Sequence, residues 1–234
     1  MKNILLSTAS ALVLFGSMPA IAADLATAKK PLAAPVVAAT FNPWMVRVRA
    51  LAVIPEDRSS VWVNGTTRVP GNGNLNVTNS VVPELDITYF FTRNFAVELI
   101  LGTTPHTVKT AKNLAGTGDV GSSWLLPPTL TAQYHFYLTD KIKPYVGAGV
   151  NYTFFLDEKQ KGVFTAFNLK NSFGLALQAG VDIMLDKNWG INVDVKKLFL
   201  QSDYRAVIGN GAAVVTGKAK IDPWLIGAGV TYKF

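Results

Sequence analysis

Two histidines and no cysteine limit the chemistry that this chain can carry out. A serine hydrolase needs a histidine within hydrogen-bond reach of a serine and an orienting acid, and a zinc site needs closely spaced cysteine, histidine or carboxylate ligands. His106 lies in a segment that reads as a loop, and no serine can be placed beside His135. The sequence therefore predicts no enzyme, no metal site and no cofactor, and a hydrolase built around His135 is a distant alternative.

Ten ionisable residues occupy alternate positions in segments whose remaining positions are mostly apolar. Along residues 43–54, Arg47 and Arg49 alternate with Val46 and Val48. This alternation places the charged side chains on one face of a β-strand, and charges that face a protein interior persist only when they are paired. We expect an internal network of ion pairs, acting either as a polar ion path or as a stiffening plug, formed by Arg47, Arg49, Glu84, Asp86, Glu98, His135, Asp182, Asp194, Lys196 and Lys233.

Eight segments of roughly ten residues carry this period-two pattern, and that length lets a tilted strand cross a bilayer. They are Pro43–Ile54, Val82–Phe91, Phe95–Gly102, Thr129–Leu138, Lys143–Phe155, Phe173–Met184, Trp189–Leu198 and Trp224–Phe234. Tight turns (TRN, TDK and DKN) alternate with long connections, as in outer-membrane barrels with short periplasmic turns and long external loops. The predicted fold is all-β, an eight-stranded antiparallel up-and-down transmembrane β-barrel.

A soluble eight-stranded barrel would show the same alternation with its faces reversed. The small residues favour the membrane barrel, because Gly147, Gly149, Gly180, Gly227 and Gly229 all lie on the polar parity. A narrow eight-stranded interior has room for little else, so the large apolar residues face outward into lipid. Aromatic residues with that orientation would form the girdles that mark both membrane interfaces: Trp44, Phe91, Tyr152, Trp189, Trp224, Tyr232 and Phe234.

The first 42 residues carry export signals instead of strand patterns. Lys2, an apolar run and the small residues of AIAAD predict a signal peptide over residues 1–23; a membrane anchor is the weaker alternative, because the apolar run is short. An Ala/Pro-rich periplasmic leader over residues 24–42 precedes the barrel at 43–234. The net charge is +7, and for an exported chain an anionic membrane surface is a more suitable partner than nucleic acid.

Four stretches closely resemble the outer membrane protein W (OmpW) family of Gram-negative bacteria: LPPTLTAQYHF, KPYVGAGVNYTFF, LKNSFGLALQAGVD and DPWLIGAGVTYKF. The resemblance covers roughly residues 44–234 and implies a monomeric barrel in the cell outer membrane. It also implies a narrow channel or pocket for the passage of small hydrophobic molecules. Because some members are phage or colicin receptors, a closed structural, adhesion or receptor barrel is the alternative. Phe234 matches the C-terminal signal by which the barrel-assembly machinery recognises its clients.

Two further sets of residues are candidates for contacts with ligands. Four apolar residues near the external ends of their strands have the parity that faces the barrel interior: Leu51, Val53, Ile100 and Phe155. They predict a pocket for a small hydrophobic ligand, and ordinary packing is the alternative. Lys196 departs from the apolar or aromatic residue that the resemblance implies there, which argues against a purely hydrophobic lumen. The basic residues of the external connections either offer counter-charges to lipopolysaccharide phosphates or keep the loops solvated: Arg58, Arg68, Lys109, Lys112, Lys159, Lys161, Lys170, Arg205, Lys218 and Lys220.

Overall fold

The computed structural model describes residues 42–56, 58–70, 75–111 and 118–234. The predicted signal peptide and the predicted leader up to residue 41 lie outside these ranges. Within them, no helix is long and apolar enough to cross a membrane. The strands are β1 (Trp44–Ile54), β2 (Arg58–Val63), β3 (Thr67–Arg68), β4 (Leu75–Val77), β5 (Ser80–Phe90), β6 (Phe95–Gly102), β7 (Thr104–Thr110), β8 (Asp119–Leu126), β9 (Thr129–His135), β10 (Ile142–Gln160), β11 (Phe164–Leu169), β12 (Ser172–Met184), β13 (Trp189–Phe199), β14 (Gln201–Ile208), β15 (Ala213–Lys220) and β16 (Trp224–Lys233).

Eight of these strands close into an antiparallel barrel. Their order is β1–β5–β6–β9–β10–β12–β13–β16, and β16 pairs back onto β1. The eight-stranded barrel that the alternation predicts is confirmed, and β6 has the predicted bounds. Five strands differ from their predicted bounds by one or two residues at an end, and two differ by more: β9 ends at His135, whereas β10 continues to Gln160.

The three tight turns are each closed by one side chain that accepts backbone hydrogen bonds. Thr92 Oγ1, Thr139 Oγ1 and Asp186 Oδ1 accept from the N–H three residues later, at 2.9, 2.9 and 2.7 Å. The backbone N–H groups of Trp189 and Asn188 lower the pKa of Asp186. These caps let the chain reverse within a few residues, as in turns built on Asx and hydroxyl side chains.

The barrel exterior is apolar along the length of the membrane-spanning strands. On neighbouring strands, Val48, Leu85 and Val230 are 56%, 41% and 49% exposed, although they pair with one another in register. The predicted girdle residues also point outward. Trp44, Phe91, Trp189, Tyr232 and Phe234 lie at the end that holds the tight turns, and Tyr152 and Trp224 lie toward the opposite end.

The long connections contain strands where the sequence indicated loops. One upper sheet, at the end opposite the tight turns, has the order β11–β14–β15–β2–β3; a second upper sheet joins β4, β7 and β8 to the far half of β10. Most of these strands continue a barrel strand after a short break, such as Leu200 between β13 and β14. The two upper sheets pack around a shared apolar core of Val61, Leu75, Val108, Val120, Phe164, Phe167, Tyr204, Ala206 and Val215.

Candidate functional site

Arg47 anchors one half of a charged network inside the barrel. Its guanidinium grips Asp182 with two nitrogens, Nε at 3.0 Å from Oδ1 and Nη2 at 2.7 Å from Oδ2. Nη1 donates to Thr88 Oγ1 (3.1 Å) and to the carboxylate of Glu98. The side chains of Arg47, Asp182 and Glu98 are almost completely buried, so bidentate pairing offsets the desolvation of the charges.

Arg49 and Lys196 organise the second half of the network. Arg49 lies 2.9 Å from Glu84 Oε1 through Nε and 2.6 Å from Asp86 Oδ2 through Nη2. Lys196 Nζ lies 2.8 Å from both Glu84 Oε1 and Asp194 Oδ1. Glu84 of β5 therefore bridges a cation from the neighbouring strand β1 and a cation from β13, three strands away around the barrel.

Neutral side chains complete this network, although the sequence interpretation collected only the charged ones. Gln178 Nε2 donates to Glu98 Oε1 and to Asp194 Oδ2, both at 2.9 Å, and the Tyr145 hydroxyl donates to Asp194 Oδ2 at 2.7 Å. Gln133 donates to Glu98 Oε1 at 2.8 Å. The alternation pattern could have identified these neutral residues too, because all of them lie at inward-facing positions of their strands.

His135 and Lys233 lie at the turn end of the network. The His135 ring stacks on Tyr145 with centroids 4.9 Å apart, and its Nδ1 lies 4.0 Å from Asp182. Lys233 Nζ lies 4.7 Å from the centroid of the Phe90 ring. No group of three His, Cys, Asp or Glu side chains suited to a metal ion occurs among the described residues.

Above the charged network the interior becomes apolar. A lower cavity with about 40 Å³ of free space has Glu84 and Lys196 at its charged end. Three threonine hydroxyls add polar groups to its wall: Thr104, Thr129 and Thr153. Most of the remaining wall is aliphatic and includes Leu51, Val53, Ile100, Leu198, Leu200 and Leu225. An apolar cavity with a few convergent polar groups is the usual form of a small-molecule site.

An upper cavity with about 30 Å³ of free space lies between the two upper sheets. Phe155 lines this cavity, so the structure brings Leu51, Val53 and Ile100 together in the lower cavity and places Phe155 in the upper one. Other apolar residues of the upper wall are Leu75, Val77, Phe167, Leu169 and Tyr204. His106, Leu125 and Ile221 line both cavities and therefore form the partition between them.

His106 is the polar member of this partition. It lies in β7 instead of the irregular loop that the sequence indicated, and its Nδ1 is 2.6 Å from the carbonyl oxygen of Thr78. Burial lowers the pKa of His106, and the hydrogen bond to Thr78 offsets part of that effect. The imidazole is therefore neutral near pH 7, because its ordinary pKa is already about 6.5, and the partition carries no charge there.

A closed eight-stranded barrel with an apolar exterior, a charged interior and strands extended at one end defines the class of small outer-membrane β-barrels. The OmpW family model matches residues 43–234. The chain belongs to the OmpW family, and it lies in the cell outer membrane, with the tight turns on the periplasmic side.

Three relatives illustrate this membership. The outer-membrane protein y4mB of Sinorhizobium fredii is 49% identical over 224 residues, which cover 94% of this chain and 92% of that protein. Outer membrane protein W of Vibrio cholerae is 33% identical, with 86% and 93% covered. The dibenzothiophene metabolism operon protein PahQ of Pseudomonas aeruginosa is 27% identical, with 82% and 89% covered.

Two solved structures share the architecture. The crystal structure of OprG from Pseudomonas aeruginosa has a TM-score of 0.76 at 29% identity and covers 83% of this chain and 96% of OprG. The solid-state NMR structure of AlkL in lipid bilayers has a TM-score of 0.68 at 27% identity, covering 86% of this chain and 95% of AlkL.

Proposed function

We propose that the lower and upper cavities bind small apolar molecules and form a narrow route for their passage into the outer membrane. The observation that carries this proposal is the order of the cavities and the charged network along the barrel axis. Two apolar cavities meet at an uncharged partition, and the lower one ends on the buried ion pair of Glu84 and Lys196. Transfer of an apolar solute from water into either cavity lowers its free energy. Transfer into the charged network does not.

The charged network supports a lumen that is closed along the barrel axis. Arg47 and Arg49 reach carboxylates on several strands, so an axial path would require breaking buried ion pairs. Removing one partner from such a pair is strongly unfavourable. A solute that enters from outside therefore stops at the level of Glu84 and Lys196.

The relative PahQ supports an aromatic ligand. PahQ is named as a protein of a dibenzothiophene metabolism operon, and dibenzothiophene is a flat apolar molecule of three fused rings. The free space of the lower cavity is about 40 Å³, well below the roughly 300–1,000 Å³ of an occupied small-molecule site, so such a ligand would bind by spreading the aliphatic side chains of the wall. A polycyclic aromatic compound is therefore the solute with which we would test the route first.

Replacing Ile100 with tryptophan is expected to abolish uptake of such a solute. Ile100 is 4% exposed and faces the lower cavity, so an indole there fills the space that the ligand would occupy. The measurement is the initial uptake of radiolabelled dibenzothiophene by cells that display equal amounts of each barrel. We expect Ile100→Trp to reduce uptake to the level of cells without the protein.

Leu99→Trp is the matched control, because Leu99 precedes Ile100 and faces outward toward lipid. This variant should take up the solute like the wild type. A closed structural or receptor barrel makes a different prediction, namely that wild-type uptake already equals the background. Uptake that survives Ile100→Trp in a correctly folded barrel would refute the assignment of the lower cavity.

A further inference from the structure

Basic side chains cover the outer face of the first upper sheet, and we call this surface the basic face. The strand register sets them in three cross-strand rows. From the membrane upward these rows are Gln201–Lys220–Arg58, then Lys170–Asp203–Lys218–Ser60, then Asn168–Arg205–Thr216–Trp62–Arg68. In the described ranges, these rows hold six cations and one carboxylate, that of Asp203, and Glu158 adjoins the last row, where it accepts a hydrogen bond from Asn168 Nδ2 at 2.9 Å.

Among the described residues, the cations of the two upper rows have no carboxylate partner of their own. In the row nearest the membrane, Arg58 pairs with Glu56 at 3.1 Å and Lys220 pairs with Asp222 at 3.3 Å. For the other four, no carboxylate of the residues that the structure describes lies within 4.0 Å: Arg68, Lys170, Arg205 and Lys218. Within the part of the chain that the structure describes, the basic face therefore keeps a positive charge that no paired carboxylate neutralises.

The second upper sheet shows that this imbalance belongs to one side of the molecule. There, Lys159 pairs with Asp157 at 2.8 Å and Lys161 lies 4.0 Å from Asp119. Two of the three lysines described there are thus matched by carboxylates, and Lys109 is the one that has no described carboxylate within 4.0 Å. Keeping the extracellular strands soluble does not explain the difference, because both sheets meet the same solvent.

The height of the basic face above the bilayer indicates what it meets. Phe199 faces lipid at the end of β13, and β14 continues the same strand direction. At about 3.3 Å per residue, Gln201 lies about 7 Å and Arg205 about 20 Å along the chain from Phe199. The polar headgroup region begins immediately beyond the hydrocarbon core, so the face extends from that region into the saccharide layer outside it.

The side chains of the basic face suit a phosphorylated saccharide. Guanidinium groups bind phosphate oxygens through two parallel hydrogen bonds, and Arg68 and Arg205 lie in the same row. Trp62, 38% exposed between them, offers an aromatic surface with a polar N–H. We propose that the basic face binds the phosphorylated saccharide headgroup of lipopolysaccharide in the outer leaflet.

The test compares two double variants of the full chain, refolded in phosphatidylcholine nanodiscs. Arg205→Gln/Lys218→Gln removes two unpaired cations from the basic face, and Lys159→Gln/Lys161→Gln removes two paired cations from the other sheet. Lipopolysaccharide binding is measured by fluorescence titration at several salt concentrations. We expect the first variant to bind about tenfold more weakly, with a smaller salt dependence, and the control to stay within about twofold of the wild type.

Chemically dephosphorylated lipopolysaccharide identifies the group that is recognised. The wild type should bind it as weakly as Arg205→Gln/Lys218→Gln binds the intact glycolipid. The proposal fails if the control variant loses as much affinity as the first variant, or if dephosphorylation changes nothing. It also fails if phosphatidylglycerol in place of lipopolysaccharide binds equally well, since the attraction would then be a general one for anionic lipid. All four substituted side chains are exposed or partly exposed, and heat-modifiable gel mobility verifies folding.

Discussion

Arg47→Met is expected to destabilise the barrel by about 3–5 kcal/mol, the usual effect of removing one partner from a buried ion pair. The guanidinium makes two contacts with Asp182 and further hydrogen bonds with Thr88 and Glu98. Methionine fills similar space without any donor, so two carboxylates lose their main counter-charge in a closed interior. The free energy of unfolding in urea, measured in phosphatidylcholine vesicles without lipopolysaccharide, gives this value directly.

Arg68→Met is the control for this experiment, since Arg68 is exposed on β3. Its substitution should change the free energy of unfolding by less than about 0.5 kcal/mol. The double variant Arg47→Met/Asp182→Asn should recover part of the loss, because it removes one of the stranded anions, and that recovery measures the coupling within the pair. A loss below about 1 kcal/mol for Arg47→Met would mean that water already solvates these charges.

The barrel could be predicted from the sequence because each strand alternates apolar residues, which face lipid, with polar or small residues, which face the interior. The upper sheets could not, since that alternation reverses where the strand leaves the membrane. In β13, Asp194 points inward and Val195 outward, whereas in β14, Tyr204 points inward and Arg205 outward. The apolar parity therefore changes face near Leu200. Because of this change, the sequence of β13 and β14 resembles a single strand followed by a polar loop, although both segments are strands.

The candidate site was predictable in composition but not in arrangement. Parity identified which charges point inward, yet Arg47 pairs with Asp182 and Lys196 with Glu84, partners more than a hundred residues apart. Strand register and the closure of the barrel determine such pairs, and the alternation of residues along single strands does not reveal which inward side chains meet across the interior. The same reason explains Phe155, which lies opposite Leu125 of β8, above the lower cavity.

Gly229→Ala is expected to weaken or prevent closure of the barrel. A Cβ at this position would lie 2.0 Å from the carbonyl oxygen of Val48 and 2.6 Å from Cα of Arg49. Both are backbone atoms of β1, the strand that pairs with β16 to close the barrel. Because backbone atoms cannot move aside without disturbing the ladder, we expect a loss of about 1–3 kcal/mol or more.

Gly227→Ala provides a matched control on the same face of the same strand. Its added Cβ would lie 3.3 Å from the side-chain atoms Cδ of Arg49 and Cδ1 of Leu51 and at ordinary van der Waals distance, 3.8 Å, from the carbonyl oxygen of Ala50. Flexible side chains can shift by the few tenths of an ångström that this requires. Heat-modifiable gel mobility and urea unfolding should therefore show a folded, slightly altered barrel for Gly227→Ala and a strongly destabilised one for Gly229→Ala. Equal stability of the two variants would contradict the prediction. It would mean that the β1–β16 pairing can shift enough at Gly229 to accept an added Cβ.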